Sequence, residues 1–494
     1  MSFSIESIDL FVRKLPPNRM EFGIGTKSAK GEVKAATKRR PDAVLLVRAT
    51  LAIDGRQVTG FAGDRPSFGW LDKRAEKSPG AKLRDLLDLV ETSKDIWLEQ
   101  GRDFETPFEL WRRSYKRVQA AASEAGHEEL SGSYASALME RAVIDAVCKA
   151  NGRSFFEMLR EDRLGVDAAS VHPELKGMSL VDALPKRPRR QLFIRHTVGQ
   201  SDPLVDADLA PESRVNDGEP ETLEAYARRD GLRFFKVKIA GDAKADLARL
   251  NRIWNEVLVH LEEPLVTLDG NEAYSDLDAF AGFVEAFARE VPGLFEHTLF
   301  IEQPLTRALT LDENTRKSVA RISAMKELVI DEADGTVASF KTAFGIGYAG
   351  TSHKNCKGVF KSLLNHLLCK KLSESTGRWV FMTAEDLSNM PMVPLHQDFA
   401  VVSALGIEHC ERNGHHYAFG LSHLGAAEKE RLASAHPDLY VKRGDEWFLN
   451  IRDGAVDLTS LLVRPGLGGD VEPDWQELMP LDEWRKSSMG GESL

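Results

Sequence analysis

LRFFKVKIA (232–240), PLVTLDG (264–270), HTLFIEQP (297–304) and ELVIDEA (327–333) are four short apolar runs whose reading decides the fold. Each has the length of a strand, is enriched in β-branched or aromatic residues, and ends in polar or charged side chains. Between them lie stretches with helical spacing, such as DAKADLARLNRIWNEVL (242–258) and LDAFAGFVEAFARE (277–290). The alternation extends in both directions, to QLFIRHTV (191–198) before and to IGYAGTSHK (346–354), RWVFMTAED (378–386) and ALGIEHC (404–410) after. Strand, helix, strand, repeated about eight times, predicts a parallel α/β barrel. A doubly wound open sheet gives a similar pattern and is the structural alternative.

The chain before this region reads differently. SIESIDLFV (4–12) alternates as a strand, and the stretch from 42 to 63 reads as two strands around the turn Asp54-Gly55. Pro16 to about Arg40 reads as a polar, mobile loop whose Lys38-Arg39-Arg40 run is solvated surface. From about Ala81 to Leu159 the period becomes helical. In SYASALMERAVIDAVCKANG (133–152), Ala135, Leu138, Met139, Ala142, Val143, Ala146 and Val147 form one apolar stripe, stopped by Asn151-Gly152. The Pro/Arg-rich connector from Pro185 to Arg190 marks a boundary. The expected organisation is an α+β unit over 1–185, the barrel over 186–425, and a C-terminal segment over 426–494 for which packing back on the first unit is one arrangement.

With 494 residues the chain can bury a large core without staples. A net charge of −11 argues against a nucleic-acid binder. Cys148, Cys356, Cys369 and Cys410 form no Cys-x-x-Cys pair and suggest no disulfide framework. No run approaches the ~20 apolar residues of a membrane span, and the start lacks the pattern of a signal peptide. The expectation is a cytoplasmic protein without membrane or nucleic-acid partners.

Chemistry in a parallel barrel lies where strands meet their following loops. The polar residues there are Lys236 and Lys238; Asp269 and Asn271; Glu302 and Gln303; Asp331 and Glu332; His353 and Lys354; Glu385 and Asp386. Lys236 and Lys238 are two apart and share a face, so their mutual repulsion is expected to lower the pKa of at least one and fit it as a general base. A single carboxylate after a strand is commonly a helix N-cap. Three from successive strands, roughly 30 residues apart, repel one another unless a hard cation such as Mg²⁺ holds them.

KVK, LDGN, IEQP, IDEA and HKNCKG, in that order, resemble the enolase superfamily and within it the muconate-lactonizing subgroup of the mandelate racemase/muconate lactonizing enzyme family. The resemblance covers roughly Ala135 to Gly358, including ERAVIDAVCKANGRSFFEML before the barrel. It implies a modified TIM barrel, (β/α)₇β, under an N-terminal α+β capping domain. It implies Asp269, Glu302 and Asp331 as ligands of Mg²⁺ (or Mn²⁺), Lys238 and Lys354 as acid/bases on opposite faces of a small carboxylate substrate, and Lys236 as the group that tunes Lys238 and neutralises the substrate. Asn271, His353 and Glu385 are candidate substrate contacts. The implied reaction removes the proton beside a carboxylate through an enediolate, as a racemase, epimerase or cycloisomerase. An acid-sugar dehydratase or other β-elimination lyase is the alternative, and a non-catalytic carboxylate-binding barrel the rival from another class.

Where this sequence departs from the pattern, His353 could replace Lys354, and Lys357 is a further candidate. Glu385-Asp386 either contact substrate or cap the following helix. GIGYAG (345–350) matches the dinucleotide pattern G-x-G-x-x-G but follows a helical stretch, which disfavours a nicotinamide oxidoreductase. His415-His416 reads as surface loop, and His396 and Asp398 as part of a helix or loop rather than a dyad. The sequence leaves homo-oligomerisation open.

Overall fold

In a computed structural model of the protein, which describes residues 3–20 and 43–489, the chain opens with β1 (Phe3–Lys14), β2 (Ala43–Ile53) and β3 (Arg56–Asp64). These form an antiparallel meander. The β2–β3 hairpin turns on Asp54 and Gly55, with φ of 47° and 77°, the left-handed pair that a two-residue turn of matching twist requires. Residues 21–42, and with them most of the expected loop and its basic run, lie outside the described residues.

Three long helices, Pro79–Gln100, Pro107–Glu124 and Glu129–Ala150, complete the cap. The last is buried from Leu130 through Cys148, not along one stripe as its apolar spacing suggested. The reason is its position between the cap sheet and the barrel. Against the sheet, a Cβ on Gly60 would lie 2.1 Å from Ala142 O, so only glycine lets β3 approach so closely. On the same side Arg141 donates to Asp64 at 2.8 Å. Toward the barrel, Glu140 Oε1 accepts from Phe360 N at 2.6 Å, capping the helix Val359–Thr376.

The barrel consists of β4 (Gln191–Val198), β5 (Phe234–Lys238), β6 (Leu265–Asp269), β7 (Thr298–Glu302), β8 (Leu328–Ile330), β9 (Gly350–His353), β10 (Phe381–Glu385) and β11 (His409–Arg412). All neighbours are parallel, and β11 pairs with β4, so the sheet closes and the open doubly wound alternative falls. Only a single 3₁₀ turn, His415–Tyr417, and no α-helix packed on the barrel, follows β11 before the chain leaves it, giving the (β/α)₇β form. GIGYAG spans the end of the helix Ser339–Ile346 and the first residue of β9; a helix, not a strand, leads directly into it.

The C-terminal segment touches both units. Its strand β14 (Ala455–Asp457), which follows the hairpin β12 (Tyr440–Arg443) and β13 (Glu446–Leu449), adds antiparallel to β4. Farther on, β15 (Met479–Pro480) pairs with β1. The four cysteines are buried and free. No helix among the described residues is long and apolar enough to cross a membrane.

Asp145, buried in the cap helix, fastens this segment. Its Oδ2 accepts from Phe61 N at 2.8 Å and Lys149 at 2.6 Å, and its Oδ1 accepts from Leu467 N at 2.7 Å. Asp145→Ala orphans two buried amides at about 1–3 kcal/mol each and is expected to lower stability by about 2–5 kcal/mol, read as a fall in the urea unfolding midpoint. Asp145→Asn, which keeps one carbonyl acceptor, is expected to lose about half as much.

Candidate active site

The strand ends bring one ammonium group into contact with four carboxylates. Lys236, on β5, points into the barrel mouth, where its Nζ lies 3.0 Å from Asp269, 2.9 Å from Glu302, 2.8 Å from Glu385 and 2.8 Å from Glu411. These come from β6, β7, β10 and β11. Lys238, two residues on and on the same face, donates to Asp269 Oδ2 at 2.6 Å. Across the mouth Lys354 donates to Asp331 Oδ2 at 2.6 Å and faces Glu385 at 2.9 Å. Lys357 holds the other Asp331 oxygen at 2.7 Å and donates to the carbonyls of Asp331 and Ser352. All these side chains are 3 % exposed or less.

The supporting bonds orient the carboxylates. Asn271 N donates to Asp269 Oδ1 at 2.9 Å, and Asn271 Nδ2 to Glu332 at 3.1 Å. Ser352 donates to Glu385 at 2.5 Å and Thr197 to Glu411 at 2.8 Å. Gln303 Oε1 accepts from the amides of Asp331 and Ala333 at 2.8 and 3.0 Å, which fixes the turn after β8. The cap closes the mouth: Lys354 Nζ stands 4.2 Å above the ring of Trp70, and Arg307 donates to the carbonyls of Trp70 and Leu71.

The electrostatics differ from the pairwise expectation for two neighbouring lysines. Burial alone would lower the Lys236 pKa, but its four carboxylates hold it well above the ordinary lysine value. Burial likewise opposes, and Asp269 and Glu411 outweigh, so Lys238 is also raised. The Lys–Lys repulsion is real but smaller than the attraction of the carboxylates interposed between them. Asp269 is pulled down to about 2 against burial by Lys236 and Lys238. Glu302 is pushed well up by burial and by Glu385. Glu385 is held well below the carboxylate range, against burial, by Lys236 and Lys354. Burial, repulsion and the lysines thus push two adjacent carboxyls in opposite directions, Glu302 up and Glu385 down.

Asp269, Glu302 and Glu385 each offer an oxygen within 4.8 Å of the others. No hydrogen-bond donor reaches Glu302 Oε1 among the described residues. A buried oxygen set short of positive charge, with one carboxyl driven toward protonation, fits a hard divalent cation. Asp331 is outside this group; both its oxygens are taken by Lys354 and Lys357.

Of the substrate-contact candidates, Glu385 lies in the cluster and Asn271 at its edge. His353 does not join it: strand alternation turns it outward, where Nδ1 pairs with Ser362 at 2.6 Å, and burial holds its pKa down to about 3. Asp386 is paired with Arg412. His396 and Asp398 lie in the helix Val393–Leu405. Glu411, Thr197 and Ser352 escaped the reading of strand ends because none directly closes an apolar run.

No protein-family model and no curated protein matches this chain. Solved structures do. A mandelate racemase/muconate lactonizing enzyme from Bordetella bronchiseptica RB50 superposes with a TM-score of 0.59 at 14 % identity, over 96 % of this chain and 98 % of that one. A dipeptide epimerase from Enterococcus faecalis V583 gives 0.57 at 12 % identity, over 94 % and 99 %. An L-talarate dehydratase from Polaromonas sp. JS666, complexed with Mg and L-glucarate, gives 0.54 at 15 % identity, over 95 % of both. The shared feature is the fold, a capped (β/α)₇β barrel, over nearly the full chain.

Lys236→Met removes the ammonium shared by four buried carboxylates. It is expected to cost about 3–5 kcal/mol in urea unfolding, the size of a broken buried ion pair. Adding Glu385→Gln to that variant removes one of the charges that have lost the Lys236 ammonium and is expected to recover part of the loss, so a double-mutant cycle reads a coupling well above the error of additivity.

Proposed function

We propose that this chain is a divalent-metal-dependent enzyme that abstracts the proton beside a carboxylate, with racemisation, epimerisation or cycloisomerisation as the favoured outcome. The observation that carries the reading is one unbroken line of ion pairs, Lys238–Asp269–Lys236–Glu385–Lys354. It links amines on opposite sides of the barrel through one acidic cluster.

Asp269, Glu302 and Asp331 are the proposed ligands of Mg²⁺, with Glu385 the carboxylate that competes with Asp331 for the third position. A bound Mg²⁺ supplies positive charge for the two substrate oxygens on which negative charge collects. The remaining work belongs to the lysines. Lys238, freed of the full Asp269 charge when that carboxylate is shared, loses its proton more readily and takes the substrate α-proton. Lys354 returns a proton from the other face, and its contact with Trp70 fixes its approach. Lys236 remains charged beside the substrate carboxylate. β-Elimination shares the first step and differs only in what leaves next.

Incubation with Mg²⁺ in D₂O and a panel of carboxylic acids is expected to give α-deuteration of at least one, lost by about 10²–10⁴-fold in Lys238→Ala. Exchange with inversion marks a racemase or epimerase, and loss of a β-substituent marks a lyase. Absence of exchange with every acid, together with absence of Mg²⁺ binding, would leave a carboxylate-binding barrel. Calorimetric Mg²⁺ titration assigns the third ligand: Asp331→Asn is expected to weaken binding more than Glu385→Gln, and the reverse order gives the position to Glu385.

A further inference from the structure

The two strands that close the barrel carry a second cluster on their outer side. On β4, Arg195 and Thr197 point inward, Arg195 to Thr383 and Thr197 to Glu411. His196, between them, therefore faces out. There it meets His416 and His415, from the turn after β11, with ring centroids 4.5 and 5.1 Å away. One ligating atom from each of the three lies within 4.8 Å of the others. His196 and His416 are buried and His415 half-buried, which corrects the reading of His415-His416 as surface loop.

Hydrogen bonds fix the tautomers. His416 Nε2 faces Asp202 Oδ2 at 3.1 Å, and Asp202 also accepts from Gly199 N at 2.9 Å and Tyr417 OH at 2.5 Å. His415 Nδ1 faces the carbonyl of Arg412 at 2.9 Å. An acceptor opposite one ring nitrogen places the proton there and leaves a lone pair on the other. Those other nitrogens, His416 Nδ1 and His415 Nε2, are buried without a hydrogen-bond partner, as is His196 Nδ1. Burial, reinforced by the neighbouring imidazoles, keeps His196 and His415 neutral.

We propose that His196, His415 and His416 form a binding site for a borderline transition-metal cation of the Zn²⁺ class, separate from the acidic cluster inside the barrel. Converging imidazoles without a carboxylate among them suit such an ion and not Mg²⁺. The outer partners match the arrangement that orients metal-bound histidines, a carboxylate behind one ring and a backbone carbonyl behind another. Zn–N bonds of about 2.0–2.1 Å require nitrogens about 3.4 Å apart, so rotation of the rings draws them together on binding. His415 and His416 also line a pocket with Arg19, Tyr226 and Arg412. Three protein ligands leave the fourth position of a tetrahedral ion open toward it.

The test uses the full-length chain, stripped with chelator and titrated with Zn²⁺ in excess Mg²⁺, with Co²⁺ as spectroscopic probe. Wild type and Asp269→Asn are expected to bind about one Zn²⁺ per chain, and Co²⁺ to give the visible bands of a tetrahedral nitrogen site. His196→Ala and His416→Ala, checked for folding by circular dichroism, are expected to weaken Zn²⁺ at least tenfold. Asp202→Asn, which keeps all three ligands, is expected to weaken it about 10–100-fold. Absence of Zn²⁺ binding to wild type, or binding unchanged in both His196→Ala and Asp202→Asn, overturns the proposal.

Discussion

A lysine amine at the centre of four carboxylates, out of contact with water, is the constraint to which the rest of the barrel answers. Each ion costs several kcal/mol to desolvate, and only close, well-directed partners recover that. Lys236 cannot be the sole counter-ion for Asp269, Glu302, Glu385 and Glu411. Lys238 therefore shares Asp269 and Lys354 shares Glu385. Neutral donors complete the set, Thr197 on Glu411 and Ser352 on Glu385. Even so, Glu302 is driven toward its protonated form. The mouth is short of positive charge, and that shortage is what makes it suited to a divalent cation.

The cap belongs to the same balance. Lys354 and Lys357 lie on the turn between β9 and the helix Val359–Thr376. That helix begins where Glu140, from the cap, accepts the Phe360 amide. Trp70 covers Lys354, while Arg307 ties the Trp70 and Leu71 carbonyls to Glu272 on the barrel side. Lys354 is thus placed by contacts from both the cap and the barrel, whereas Lys238 is placed within the barrel, by its strand and its bond to Asp269.

What the sequence made legible was local. KVK, LDGN, IEQP and IDEA each end a run of apolar residues, and period-two alternation puts their polar ends in the mouth. Glu411 was not legible, because it follows Cys410 inside the short strand HCER and resembles the polar edge of a connection. The lowered lysine pKa expected from Lys236 and Lys238 fails for a related reason. The repulsion was visible in the sequence, but the carboxylates that reverse it come from residues 31 to 175 positions away. The cap helix misled in the other direction: its apolar stripe is genuine, yet Glu140, Arg141 and Asp145 are buried too, each bonded to a partner on another element.

The same alternation that aims Thr197 at Glu411 aims His196 away from it. β4 and β11 therefore present Arg195, Thr197 and Glu411 on their inner side, while His196 of β4 meets the imidazoles of the following turn on the outer side. Arg412 stands at their junction: it is paired with Asp386 and its carbonyl accepts from His415. Thr197 Oγ1 contacts both Glu411 and the Arg412 carbonyl, at 2.8 and 3.3 Å. The turn carrying His415 and His416 is thus bonded through Arg412 and Thr197 to the carboxylate that Lys236 holds. The two clusters are chemically distinct but linked by hydrogen bonds through two residues of β11, Glu411 and Arg412, and one of β4, Thr197.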